Sequence, residues 1–290
     1  MAEITAQSVK ELREMTGAGM MECKKALTEA NGDLEAAVDV LRTRGLAAAA
    51  KKAGRETNEG LVVAALSADA TAGALVEVNC ETDFVSRNET FAAFAAKIAD
   101  AALAADPSDV EALKASTVDG ETVDTLLTEA IHTIGENIQI SRFVRKTTDK
   151  GAFASYIHGG GRLGILVEFS LGNAATAANE TFKALGKDVA MQVAAANPGA
   201  VSRESFTAEV IEHEKNIYKA QAAESGKPEN IQEKMAEGRL EKFFKENALV
   251  EQAFIKDPDT TVRTHIEKVS KELGDEISVV SFERFALGGQ

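Results

Sequence analysis

The chain has 290 residues, of which 44% are hydrophobic and 27% charged, and its formal net charge at pH 7 is −14. This length accommodates one large domain or two to three smaller ones. The negative charge argues against direct binding to nucleic acid, which proteins usually meet with clustered lysine and arginine. No apolar run approaches the roughly 20 residues of a membrane span, and the first residues resemble neither a signal peptide nor a transit peptide. We therefore expect a cytoplasmic protein that has no transmembrane helix.

The two cysteines, Cys23 and Cys80, lie far apart and have no histidine or cysteine neighbours at the spacing of metal ligands. They predict neither a disulfide framework nor a zinc site. We expect both to be reduced thiols in the protein interior, and the sequence indicates no cofactor.

Three short helices are predicted in residues 1–46. Ser8 and Glu11 have the spacing of a capping box, in which each side chain satisfies a free backbone N–H at the start of a helix. This pattern predicts a first helix that begins at Ser8 and ends at about Thr16.

Gly17 and Gly19 predict a break before a second helix, which carries the adjacent Met20 and Met21. Gly45 predicts the end of the third helix. The following residues, 47–60, lose the helical periodicity and are interpreted as a linker.

An internal repeat follows the linker. Residues 73–91 and 164–182 align without a gap at an offset of 91 and are identical at eight of nineteen positions. Residues 135–140 resemble residues 274–279, but at an offset of 139. The second copy is therefore 48 residues longer, which is the difference between the two offsets, and we place the extra residues at about 202–250.

Each copy is predicted to begin with two strands, at 61–66 and 74–79 in the first copy and at 153–157 and 165–171 in the second. Later helices and a final strand complete each copy. Because short connections favour antiparallel pairing, the fold class is α+β and not a doubly wound parallel sheet. In the second copy, apolar residues at helical spacing on both sides of the turn at 225–228 predict an inserted helical hairpin.

The predicted architecture is an N-terminal three-helix domain and a two-subdomain core of pseudo-repeated antiparallel sheets with helices and the inserted hairpin. The boundaries are 1–46 for the three-helix domain, 47–60 for the linker, 61–148 for the core N-subdomain and 149–290 for the core C-subdomain.

Two short motifs resemble enzyme sites. His158 and the three glycines after it resemble the oxyanion-hole loop of lipases, but the chain has no G-x-S-x-G nucleophile elbow. Gly159, Gly161 and Gly164 match the spacing of a dinucleotide fingerprint, yet a predicted strand follows them where a helix is required. We interpret this segment as a tight hairpin and expect no enzymatic activity.

A better indication of function comes from the point where the two copies differ. Between strand and helix, the second copy has small residues at 173–178, whereas the first has Thr82-Asp83-Phe84-Val85-Ser86-Arg87. Since the scaffold accepts small residues here, Phe84 is a candidate protruding anchor for a partner. The alternative, that Phe84 packs down onto its own sheet, stays open from the repeat alone.

Met20 and Met21 offer a second candidate surface. Two adjacent residues of a helix cannot both face one narrow interior stripe, so at least one methionine is expected to be available to a partner. Lys10, Arg13 and Lys24 lie near them in the sequence.

Several short stretches occur in a fixed order and are spread over nearly the whole chain. They are residues 9–14 (VKELRE), 16–27 (TGAGMMECKKAL), 77–85 (EVNCETDFV), 156–159 (YIHG), 225–228 (SGKP) and Phe282. These stretches closely resemble the elongation factor Ts family, and the two long motifs make the resemblance highly specific. The resemblance implies that the first three helices form a ubiquitin-associated-like domain.

The resemblance also implies a function that is not enzymatic. Members of the family bind the GTPase elongation factor Tu in its GDP form, displace magnesium and promote GDP release, so that GTP can rebind. By similarity, Thr82, Asp83, Phe84 and Val85 form the loop that dislocates magnesium, with Phe84 as the wedge.

Further contacts with elongation factor Tu are implied for Lys10, Leu12, Arg13, Met20, Met21, Lys24, His158 and Ile255. The sequence departs from the family pattern at Lys256, where an apolar residue is expected. Some family members also carry a further C-terminal helical module, whereas this chain stops soon after its last predicted strand.

The alternative function is a non-enzymatic scaffold or a ubiquitin-like-binding module, based on the three-helix domain and the charged hairpin. The role of the hairpin stays open: it mediates self-association, as a homodimer or in a 2:2 complex, or it projects as a solvated arm.

Overall fold

The computed structural model describes residues 4–16 and 18–289. Gly17, part of the predicted break, lies outside the described residues. The first three helices are α1 (Ala6–Thr16), α2 (Met20–Glu29) and α3 (Leu34–Lys52). Within the described part of the chain, no helix is both long enough and apolar enough to cross a bilayer.

The first copy of the repeat contains β1 (Glu59–Leu66), β2 (Ala72–Cys80), α4 (Asp83–Ser86), α5 (Glu89–Ala105), α6 (Val110–Ala115), β3 (Thr117–Val118), β4 (Glu121–Thr122), α7 (Val123–Ile134) and β5 (Ile138–Thr147). The second copy contains β6 (Gly151–His158), β7 (Leu163–Leu171), α8 (Glu180–Ala196), α9 (Ala208–Ala223), α10 (Glu229–Asn247), β8 (Ala253–Phe254), β9 (Asp257–Thr261), α11 (Val262–Leu273) and β10 (Ile277–Ala286).

The predicted start of α1 is wrong by one turn. Helix α1 begins at Ala6, and Thr5 caps it by accepting the N–H of Ser8 at 3.1 Å through its hydroxyl. Ile4, just before the cap, joins the same apolar cluster as Val9, which is the arrangement of a hydrophobic staple. The earlier cap is therefore favoured because it also buries Ile4.

The predicted end of α3 at Gly45 is also wrong, because α3 continues to Lys52. Gly45 is buried, and a Cβ atom there would lie 3.5 Å from Cγ2 of Thr128 in α7. Gly45 thus lies within α3, on the side that packs against α7, and does not terminate the helix. At the end of α3, Lys52 Nζ donates to the carbonyl oxygen of Ile131 at 3.0 Å, so α3 crosses the predicted boundary and packs on the first copy.

The two copies have matching sheets. The first has the strand order β1-β2-β5 and the second β10-β7-β6, and all pairs are antiparallel. Helices α5 and α8 lie 91 residues apart, and the pairs α7/α11 and β5/β10 lie 139 apart. Even the β-bulges correspond, because the residues skipped in the pairing are Ser141 and Val280, which are also 139 apart. The internal repeat and the α+β class are confirmed.

Each sheet has a helical face and an inner face. The first sheet packs on α5 and α7, and the second packs on α8 and α11, where Phe169 and Phe182 meet edge to face with centroids 5.4 Å apart. The inner faces of the two sheets pack on each other through Val62, Leu75, Phe153, Leu166 and Phe285.

Repeat-equivalent glycines permit this contact between the sheets. A Cβ atom at Gly73 would lie 2.7 Å from Cδ1 of Leu166, and one at Gly164 would collide with Val62. Leu166 follows Gly164 by two residues, so each sheet presents its glycine to the bulky residues of the other. The missing side chains allow two central strands to approach closely.

The insertion forms the predicted pair of helices, α9 and α10, which bury Ala222 and Ala236. At their base, the Arg203 guanidinium binds the carboxylates of Glu241 and Glu251 and lies 4.8 Å from the ring centroid of Phe244. These contacts hold the base of the hairpin against the second copy.

We predict that Gly73→Ala destabilises the core by about 1–3 kcal/mol, since the added methyl group overpacks the contact between the sheets. The urea unfolding midpoint measures this change. Gly238→Ala is the matched control: a Cβ atom at this α10 position meets nothing within 4 Å, so it should stabilise the helix by up to about 1 kcal/mol. A Gly73→Ala midpoint at or above that of the parent protein would contradict the role of this glycine.

Candidate functional site

Phe84 is the most exposed large apolar residue that the structure describes, with 84% of its surface accessible. It lies on α4, a single helical turn directly after β2. Val85, the next residue, packs on the hydrophobic core of the first copy. Because consecutive helical side chains point in different directions, Val85 faces inward and Phe84 faces solvent. The alternative that Phe84 packs onto its own sheet is therefore wrong.

The start of α4 is held by the carboxylate of Glu136. Its Oε2 accepts the backbone N–H groups of Glu81 and Thr82, both at 3.0 Å, and its Oε1 accepts the Thr82 hydroxyl at 2.6 Å. The Thr82 Oγ1 in turn accepts the N–H of Val85 at 3.4 Å and so caps α4. We call residues 81–86 the Phe84 loop.

A second carboxylate ties the Phe84 loop to the segment that follows α3. Glu81 Oε1 accepts the N–H of Asn137 at 2.6 Å and lies 3.2 Å from Nη1 of Arg55. The buried Asn137 side chain completes the connection by donating to the Arg55 carbonyl oxygen at 2.8 Å. Sequence reasoning named Thr82 but missed Glu81, Glu136, Asn137 and Arg55 as residues that hold this loop.

The second copy has an equivalent loop, residues 172–178, which we call the Ala175 loop because Ala175 lies 91 residues after Phe84. The pKa of the Asp275 carboxyl is lowered, mainly by the nearby Thr176 hydroxyl. Backbone N–H groups, including those of Asn173 and Gly172, make smaller contributions. The Glu276 amide donates to Oδ1 at 2.8 Å, and the buried Oδ2 has no hydrogen-bond partner among the described residues. Asp275 lies 139 residues after Glu136, and each acid directly follows the glycine that ends a helix. This repeated acid is the sequence signal that could have identified Glu136.

Cys80 lies beneath the Phe84 loop, and its Sγ donates to the carbonyl oxygen of Thr82 at 3.3 Å. Burial raises the pKa of Cys80 to about 12, and the negative charge of Glu136 adds to the effect. Cys80 and Cys23 are both buried and unpaired, as predicted.

His158 is exposed at the end of β6, where its Nδ1 lies 3.0 Å from Oη of Tyr156. Glycines 159–161 all have positive φ angles in the connection to β7, which confirms the tight hairpin. Arg162 of this hairpin contacts Glu59 at 3.2 Å, and Glu59 pairs with Cys80 in the first sheet. The structure therefore brings His158 and the Phe84 loop to the same end of the two sheets.

In the three-helix domain, Met20 and Met21 are both exposed, at 57% and 65%, in the first turn of α2. Lys10, Arg13 and Lys24 also have exposed side chains. Leu12 differs, because it is fully buried among the apolar residues of the three helices. Its expected place in the interface is corrected: Leu12 supports the surface from within and does not form it.

Ile255 lies in the turn between β8 and β9, where its side chain is exposed and its N–H donates to Oε1 of Gln192 at 2.8 Å. The neighbouring Lys256 pairs with Asp188 at 2.5 Å, and Asp188 also lies 3.2 Å from Nε2 of His265. A polar contact thus holds this turn where the family pattern predicts an apolar residue. The candidate residues lie in three places: the three-helix domain, the shared end of the two sheets, and the β8–β9 turn.

Comparison with known proteins decides the family. Residues 81–289 match the family model described as Elongation factor TS. The chain belongs to the elongation factor Ts family. The match begins at Glu81, the first residue of the Phe84 loop.

Relatives in this family extend the similarity over the whole chain. An Elongation factor Ts of Trichlorobacter lovleyi is 50% identical over 288 residues, which is 98% of this chain and 93% of the relative. One of Clostridium perfringens is 50% identical over 286 residues, with the same shares. One of Clostridioides difficile is 50% identical over 289 residues, with shares of 99% and 94%. The resemblance found in the sequence is confirmed, and the chain is a translation elongation factor.

We predict that neither cysteine reacts with iodoacetamide in the folded protein, even at a pH of about 9, where an unperturbed thiol is largely ionised. A raised pKa keeps the Cys80 thiol protonated, and burial blocks access to both sulfurs. Mass spectrometry of the alkylated protein measures the labelling, with urea-unfolded protein as the positive control. Rapid labelling of native Cys80 would show that the Phe84 loop opens readily.

Proposed function

We propose that this elongation factor is the guanine nucleotide exchange factor of elongation factor Tu. It binds the GDP form of that GTPase, displaces the bound magnesium and promotes GDP release, so that GTP can rebind. The observation that carries the proposal is the exposed ring of Phe84 on a loop that hydrogen bonds hold at residues 81–82 and that Val85 anchors to the core. Membership of the family supports the choice of partner.

Exchange of this kind requires no catalytic acid or base. A protein that binds the nucleotide-free GTPase more tightly than its GDP form must weaken GDP binding by the same factor, because coupling between two ligands is reciprocal. Burial of one phenylalanine side chain contributes roughly 2–3 kcal/mol. This corresponds to a change of about a hundredfold in affinity. We therefore propose that the chain is not an enzyme.

The Phe84 loop is already ordered before it meets a partner, which favours binding through the Phe84 ring. Its backbone and the Thr82 hydroxyl are already bound within the protein, so little conformational entropy is lost when a partner encloses Phe84. Asp83 pairs with Arg87 at 3.0 Å on the surface, which leaves a carboxylate beside the ring. We propose that His158, at the same end of the sheets, and the exposed methionines of α2 provide further contacts.

A second candidate function follows from the same methionines. A three-helix domain that exposes two adjacent methionines also fits the recognition of a ubiquitin-like or scaffold partner. A pull-down from bacterial lysate separates the two functions. Exchange predicts capture of a single elongation-class GTPase, which is lost in excess GDP and magnesium, whereas a scaffold would retain its partner. A homodimer or a 2:2 complex through α9 and α10 stays a prediction.

We predict that Phe84→Ala slows GDP release from elongation factor Tu by about a hundredfold, because the buried area of the ring is lost. Stopped-flow release of a fluorescent GDP analogue measures the rate. Val280→Ala is the matched control, since Val280 is also apolar and 50% exposed but lies on the bulge of β10; it should leave the rate unchanged. Equal rates for Phe84→Ala and the parent protein would refute the wedge mechanism.

A further inference from the structure

Helix α4 has only four residues, and one helical turn has little stability of its own. The direction of Phe84 therefore depends on the contacts that hold this turn in place. Val85 holds the inner side through apolar contact with the core, and Glu136 holds the start of the turn through three hydrogen bonds to two consecutive residues.

The contact between Glu136 and Thr82 orients the cap of α4. The Thr82 hydroxyl donates its proton to Glu136 Oε1 at 2.6 Å. This directs an oxygen lone pair towards the N–H of Val85, at 3.4 Å. Since a hydroxyl has one proton, its donation to Glu136 determines that Thr82 acts as an acceptor at the start of α4. A change at Glu136 is thereby transmitted to the residues on either side of Phe84.

The second copy shows why the acid in the first is a glutamate. A Cβ atom at Gly172 would lie 2.6 Å from Oδ1 of Asp275, so a short acid lies against a loop residue that has no side chain. The equivalent residue of the first copy is Glu81, which has a side chain, and the opposing acid is one methylene group longer. The first copy thus combines Glu136 with Glu81, whereas the second combines the shorter Asp275 with Gly172.

We propose that Glu136 is a positioning residue for nucleotide exchange: its carboxylate holds the Phe84 loop so that the ring is presented to the GTPase in one fixed direction. This inference rests on the proposed function. Glu136 does not itself contact the partner and acts through Thr82 and Phe84. The Ala175 loop presents only an alanine at the equivalent position, so the equivalent carboxylate, Asp275, does not serve exchange.

The test compares four variants of the full chain: Phe84→Ala, Glu136→Ala, the double variant, and Asp275→Ala. Asp275→Ala is the matched control because it removes the equivalent carboxylate from the copy without the exposed ring. GDP release from elongation factor Tu is measured across a range of factor concentrations, which separates the maximal rate from the half-saturating concentration. Hydrogen exchange at the amides of residues 81–85 reports the order of the loop.

We expect Glu136→Ala to lower the maximal release rate about tenfold and to accelerate hydrogen exchange in the Phe84 loop, whereas Asp275→Ala changes neither. In the Phe84→Ala background, Glu136→Ala should change the rate by less than about twofold, because two residues that act through one contact are not additive. Glu136→Gln, which retains one acceptor oxygen and the side-chain shape, should give an intermediate rate and serves if Glu136→Ala does not fold.

The outcomes distinguish the two proposals. If Phe84→Ala releases GDP at the parent rate, the proposed function is wrong. If Phe84→Ala is slow but Glu136→Ala is as fast as the parent protein, positioning by Glu136 is wrong and exchange stands. If Glu136→Ala slows release by the same factor with and without Phe84, or if Asp275→Ala slows it equally, the carboxylate acts on general stability, and positioning is likewise wrong.

Discussion

The close contact between the inner faces of the two sheets is the constraint on which the rest of the structure depends. It requires Gly73 and Gly164 in the central strands, because a side chain at either position would collide with the opposite sheet. Packing density in protein interiors leaves no room to absorb such a collision without strain. This contact also determines which loops become neighbours, since it brings the β6–β7 hairpin next to the start of β1 and the end of β2.

The repeated scaffold separates what the fold needs from what the partner needs. The paired sheets, their bulges, the covering helices and an acid beneath the strand-to-helix loop occur in both copies. Of the two equivalent loops, only the Phe84 loop of the first copy carries an exposed aromatic ring. A feature that one copy lacks without loss of the scaffold is free to serve binding, and this is the physical basis for proposing that Phe84 contacts a partner.

Polar contacts and apolar burial together set the position of the candidate site. The Phe84 ring is 84% exposed. Its direction follows from the inward packing of Val85 and from the hydrogen bonds that Glu136 and Glu81 make at the start of the loop. The same short segment, residues 136–137, also binds the carbonyl oxygen of Arg55 after α3. Residues 136–137 therefore bind both the Phe84 loop and the segment that follows the three-helix domain.

The sequence by itself determined the family, the α+β class, the repeat with its 48-residue insertion and the candidate status of Phe84, because periodicity, repeat offsets and motifs are local properties of the chain. Only the tertiary structure decided that Gly45 lies inside a helix, that Leu12 is buried, that Phe84 faces solvent and that Glu136 holds its loop. Each of these depends on a neighbour distant in sequence: α7 for Gly45, the other two helices for Leu12, and a carboxylate 54 residues away for Thr82. Local patterns carry no record of such contacts, which form only when the sheets and helices pack.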